Sequence, residues 1–231
     1  MSSRNIWLGA TLLLLGACKH PLAIVGEGDI IETQVGERGC TLEEFQAQDI
    51  RCTDNQAVGG NYNLTYKAVP REGMVFKGWS GTACGPDSVE PDCTYSVGAA
   101  TLAVVNASFP DIEFPPLTAT FVEDPFPVFE ADIAGAVINT TTCLACHFNG
   151  GVAGPGSQSN LQFDRQPSGQ QNRNNYEAIL EFVDITPNAV NLILTNVRGG
   201  NAHTGGVQFT QNSQQYRDLE AFLELVEDLV E

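Results

Sequence analysis

The stretch TTTCLACHFNGG, residues 140–151, sets two cysteines and a histidine close together. On a helix Cys143, Cys146 and His147 fall at spacings of three and four, and so share one face. Ahead of them Phe129, Ile133 and Val137 recur every fourth residue, the period of a buried helical stripe. Behind them comes a glycine-rich loop. The chain has only three histidines, so one set directly against a cysteine pair calls for a chemical reason.

C-x-x-C-H is the attachment signature of c-type haem. The two thiols add across the haem vinyl groups, so their separation has to match the distance between those vinyls. The adjacent imidazole then lies beneath the iron. On this reading Cys143 and Cys146 bind one haem c covalently and His147 is its proximal ligand. A thioredoxin-like redox pair calls for a βαβ setting with a strand just before it, whereas a helical stripe precedes this one. A structural zinc site takes four ligands, and no other Cys or second His lies nearby in the chain. A disulfide across the pair leaves His147 without a role.

Residues 126–231 resemble class I-type cytochrome c domains, in which a helix precedes the motif, a glycine-rich loop follows and a C-terminal helix packs on the first. The resemblance implies an all-α domain. It also implies that a Pro carbonyl after the motif receives the proximal imidazole N–H; Pro155 of Gly154-Pro155 is the candidate, with Leu161 closing over the haem. The spacing GPGSQSNL is longer than the family's GPxL. Most members take a distal Met. Here the two methionines are Met1, which leaves with the leader, and Met74, in a strand-like region; no lysine follows Lys77. His20 falls near the N-terminus, which leaves His203 in RGGNAHTGGVQF, residues 198–209, as distal ligand. That loop resembles the H-x-GG loop of some bacterial cytochrome c-like domains. The other reading makes His203 a polar loop residue and the iron open to ligands, peroxide or gases. Two imidazoles imply a lower potential than a His/Met pair. Arg165, Arg173 and Arg198 either meet haem propionates or stand solvated.

The rest of this half reads as helices. Asn174 with Glu177 forms a capping-box pattern opening a helix through Tyr176, Ile179, Leu180 and Val183. Thr186-Pro187 caps a second, which carries Val190 to Val197 and ends at Gly199-Gly200. Ser213 opens the last, with an apolar stripe through Tyr216, Leu219, Phe222, Leu223, Val226 and Val230.

Residues 27–123 read instead as strands. In YNLTYKAV, Tyr62, Leu64, Tyr66 and Ala68 share one face at the two-residue period. MVFKGW, LAVVNASF and LTATFV continue in that style, with a possible helical turn at Leu42 to Gln46. Cys40, Cys52, Cys84 and Cys93 form an even set in an exported chain, so disulfides are expected. Of three connectivities, local pairing, Cys40–Cys52 and Cys84–Cys93, is the expectation. VPREGMVFKGWSGTACGPDSVEPDCTYSV resembles a divergent internalin-type B-repeat. That implies a small β-grasp-like module with Trp79 in its core and a spacer or adhesive role.

The chain opens with Arg4 and an apolar run from Ile6 to Leu15, too short to span a bilayer comfortably. LGAC, Leu15 to Cys18, resembles the lipobox of bacterial lipoproteins, which implies cleavage before Cys18 and lipidation of its thiol. The expected organisation is a signal at 1–17, a tether at 18–26, the β module at 27–123, a stiff linker at 124–128 at the boundary that EDPFP (123–127) marks, and the haem domain at 129–231. The fold class expected is thus two-domain β + α: a disulfide-bonded β-grasp-like module, then an all-α cytochrome c-like domain.

The net charge of −17 speaks against nucleic acid, whose phosphates it repels, and suits a redox partner with a basic face. The function expected is a lipid-anchored monohaem electron carrier, not an enzyme. It belongs to the cell envelope, and Lys19 after the lipidated Cys favours the outer membrane. The alternatives are an envelope adhesion protein with accessory haem, or an open-site haem sensor or peroxidase.

Overall fold

The computed structural model describes residues 18–231 except 35, 58–61, 82–83, 85–87, 110–111, 113, 140–141, 149–150, 152–160 and 166–168. The chain forms two compact units: one takes in residues of Met1–Arg71 and Gly78–Phe121, the other Glu72–Lys77 and Val122–Glu231.

The strands are β1 Cys18–Lys19, β2 Leu22–Val25, β3 Gly28–Glu32, β4 Gln56–Ala57, β5 Tyr62–Pro70, β6 Met74–Ser80, β7 Asp92–Val97 and β8 Leu117–Glu123. They make three small sheets: β1-β4, β2-β8-β6 and β3-β5-β7. β2 runs parallel to β8, and β3 and β7 flank β5 antiparallel. On β5 the face carrying Tyr62, Tyr66 and Ala68 is buried while Asn63 and Lys67 are exposed, the alternation read from the sequence.

Three helices belong to the first unit: α1 Leu42–Gln46, α2 Ile50–Thr53 and α3 Ala99–Ser108. α1 starts with a capping box, in which Thr41 Oγ1 accepts from Glu44 N and the Glu44 carboxylate accepts from Thr41 N. Disulfides join Cys40 to Cys52 and Cys84 to Cys93. Trp79 is core, with its indole N–H donating to the Pro91 carbonyl.

The second unit starts with α4 Pro125–Val128, where Asp124 caps the Phe126 N–H and Pro125 takes the first turn. The 124–128 segment is therefore helical. It runs into a π-helix, Phe129–Asn139. Then come α5 Thr142–Cys146, α6 Gly169–Ile185, α7 Ala189–Val197 and α8 Gln214–Val230. The wider π turn explains why Phe129, Ile133, Ala134, Val137 and Ile138 are all buried: residues five apart line up as well as those four apart. They pack with Tyr176, Ile179, Leu219, Phe222, Leu223 and Val226 in one core.

This architecture overturns the β + all-α division. The chain is mixed α/β: the expected β module carries three helices, and the helical half includes strand residues of β6 and β8. LAVVNASF, expected as a strand, is most of α3. Its β-branched valines are outweighed by an alanine-rich start after Gly98 and by Leu102, which alone buries fully on that helix. Residues 18–26, expected as a tether, form β1 and β2, with Leu22 and Ile24 buried. His20 is buried too, its Nε2 bonded to Tyr62 Oη at 2.6 Å beside the Tyr66 and Tyr95 rings. Asn174 does not cap α6, which begins at Gly169; Asn174 and Asn175 instead bind Asp164, pinning the preceding loop to the helix. α7 opens at Asn188, past the expected Thr186-Pro187.

Among the described residues no single helix is long and apolar enough to cross a membrane; α6 and α7 reach that length only together and are bent by 119°.

Candidate functional site

A cavity of ≈ 310 Å3 opens within the second unit, a size at the lower end of small-molecule sites. Its walls come from several elements, among them α6, α8 and the segment holding Leu161 and Phe163. The π-helix supplies Val137 and Ile138, α5 and the residue after it supply Cys143, Cys146 and His147, and α7 supplies Ile193 and Val197. The loop between α7 and α8 supplies His203.

Cys143, Cys146 and His147 share one helical turn, as their spacing indicated. The His147 N–H donates to the Cys143 carbonyl at 2.8 Å, extending α5 by one residue. Neither cysteine is in a disulfide, and both are half-buried. The glycine after the motif has a steric reason. A Cβ on Gly151 would stand 2.3 Å from the Cys146 carbonyl oxygen and 2.7 Å from the Phe148 ring, so only glycine lets the chain fold back this tightly. Arg165 lies over the same Phe148 ring, and Arg173 over Phe126. Arg198 donates to the Leu194 carbonyl.

His147 is oriented from behind. Its Nδ1 lies 2.9 Å from the Leu161 carbonyl oxygen, which can only accept, so Nδ1 carries the proton. The carbonyl assigned to Pro155 by the resemblance is thus supplied by Leu161; Pro155 lies outside the described residues. The Leu161 side chain does line the cavity, as expected. Burial holds the His147 pKa below its ordinary value, with His203 adding to the effect and the Leu161 carbonyl opposing it. A neutral imidazole with an oriented lone pair is what a metal ligand requires.

His203 faces this group. Its ring centroid is 6.2 Å from that of His147, with 21° between the planes. The loop carrying it is pinned at its base. Arg198 pairs with Val207, and the Gln208 and Phe209 N–H groups both donate to the Val197 carbonyl. Gly199 closes α7 at φ +80°. Asn201 and Ala202, just before the histidine, have φ 54° and 52°. That left-handed conformation is unusual for residues with a Cβ. Gly205 gives the ring room: a Cβ there would stand 2.8 Å from His203 Cε1 and 3.2 Å from Nδ1. His203 Nδ1 is buried and has no hydrogen-bond partner among the described residues.

The spacing has a physical meaning. An imidazole nitrogen binds a transition metal at ~2.0–2.1 Å, and the ring centre lies about 1.2 Å farther back, so two imidazoles facing across one metal have centroids ~6–6.5 Å apart. Among the described residues no group of three or more His, Cys, Asp or Glu is placed to hold a metal ion. Met74 clusters with this unit, yet the described lining of the cavity contains no methionine. Sequence reasoning missed Phe163, Gln208 and the role of the Leu161 backbone. Only the alternation of Leu161 with Phe163 hinted at a wall, and a carbonyl leaves no mark in a sequence.

Cys18 pairs with Ala57 in β1-β4, and the residues before it lie outside those described. A scan against protein-family models found no match, and searches of curated proteins and of solved structures found none either.

Proposed function

We propose that the second unit holds one haem c, bound covalently through Cys143 and Cys146 and axially by His147 and His203, and that the protein is a monohaem electron carrier. One observation carries this reading: two imidazoles with ring centroids 6.2 Å apart and planes 21° apart line one cavity together with the two cysteines. The reading rests on that site and its motif, not on a cytochrome fold.

When bound, the haem would supply a one-electron couple. The chain's own residues do the rest. The Leu161 carbonyl fixes the His147 tautomer, and burial keeps that ring neutral. Val137, Ile138, Phe163 and Leu223 make an apolar wall that excludes water. Two imidazole ligands favour a lower potential than an imidazole and a thioether. Cys18, as a lipidated N-terminus, would tether the protein to the envelope, with the outer membrane favoured by Lys19. The excess of acidic residues, net −17, would steer a redox protein with a basic face towards it.

Protein matured in a host competent for haem attachment should gain the mass of one haem and show a low-spin, six-coordinate spectrum. His203→Ala should keep the mass and turn high-spin. A colourless wild-type protein without added mass would end this reading.

A further inference from the structure

We propose that His203 is a displaceable ligand, and that the position it vacates accepts a small neutral diatomic molecule. The inference rests on the haem reading above and concerns which of the two axial bonds gives way.

The two imidazoles are held differently. His147 sits on a helical turn, and its Nδ1 donates to the Leu161 carbonyl at 2.9 Å. His203 hangs in a loop, and its Nδ1 is shielded from solvent without a partner among the described residues. A hydrogen-bond acceptor behind a ligating imidazole raises its basicity and fixes its orientation; losing one typically costs 10–100-fold in metal affinity. The loop adds to the imbalance. Asn201 and Ala202 hold left-handed backbone at φ 54° and 52°, a conformation that is relieved if the segment moves. The weak bond and the strained segment coincide at one residue.

The walls decide what enters. Val137, Ile138, Ile193 and Leu223 face the cavity, so an anion would lose its hydration against apolar groups and meet the field of a chain with net charge −17. A neutral diatomic such as carbon monoxide suffers neither. The step is a ligand exchange: His203 Nε2 withdraws as the lone pair of the incoming molecule takes its place. No proton or net electron moves, so no co-reactant is needed.

The test mixes reduced, haem-loaded full-length protein with carbon monoxide and follows the absorption spectrum. The expected result is a low-spin resting state that converts fully, at a rate that levels off as the gas concentration rises because departure of His203 limits it. In His203→Ala, which has no imidazole to depart, the rate should instead rise linearly with gas concentration. A low-spin spectrum unchanged for hours under saturating gas overturns the inference and leaves the carrier reading intact. A limiting rate that persists in His203→Ala shows that some other step governs the exchange and overturns it too. A high-spin resting state whose rate rises linearly without limit shows that His203 is no ligand. Protein lacking the haem mass refutes both readings.

Discussion

The two units solve the problem of a small core in opposite ways. The first closes on itself. Two disulfides cross-link it, Trp79, Tyr66 and Phe121 are fully buried, and even its buried histidine is enclosed by tyrosines and bonded to one of them. The second has no disulfide among its described residues, and its two cysteines line a cavity set into its core. The same residue type thus serves in one unit as a cross-link and in the other as a lining group. The second encloses a space that its own described side chains leave unfilled.

The sharpest way to break this contrast is to remove the cavity's cysteines. Cys143→Ala with Cys146→Ala should abolish covalent attachment entirely, read as loss of the haem mass, while leaving the first unit's unfolding unchanged. The reverse experiment removes a cross-link. Cys40→Ala with Cys52→Ala opens a bridge spanning 12 residues and should cost about 2–4 kcal/mol in denaturant unfolding of the first unit, with the haem spectrum unmoved. If the spectrum changed as well, the units would not be independent.

A smaller effect concerns His20. Burial, helped by Arg38, lowers its pKa from the ordinary 6.5 to about 4. The folded state therefore keeps it neutral while the unfolded chain takes up a proton near pH 6.5. Its contribution is fully present above pH 6.5 and is lost as pH falls towards 4. Between pH 7 and 5 the first unit should lose about 2 kcal/mol on this account. His20→Gln should flatten that slope, and an unchanged slope would show that another group controls it. The smallest effect is expected at Ala202. Glycine there removes the left-handed penalty but adds freedom to the unfolded chain, so Ala202→Gly should stabilise the second unit by no more than about 1 kcal/mol in thermal unfolding.

Local chemistry was legible in the sequence. Ser213 caps α8, Gly199 ends α7, the helical turn expected at Leu42 to Gln46 is α1, and the face of α8 bearing Tyr216 to Val226 is buried. Each depends on neighbours within a few residues. Less local features were misread. Residues 102–109 have the composition of a strand but form a helix, because Leu102 finds a buried place there. Asn174 and Asn175 have the look of a cap but hold Asp164 instead, a partner that spacing along a helix does not reveal.

The same division runs through the site. The sequence by itself determined that Cys143, Cys146 and His147 share one turn, since helical geometry allows a three–four spacing no other arrangement. It left the pairing of Cys40, Cys52, Cys84 and Cys93 open among three connectivities, of which the structure has the local one. Only the tertiary structure decided that His203, fifty-six residues after His147 in the chain, returns to 6.2 Å from it. It alone decided that the Leu161 carbonyl orients one imidazole while the other has no such partner. Backbone groups are the same at every position, so which carbonyl meets which imidazole depends on how the whole unit packs.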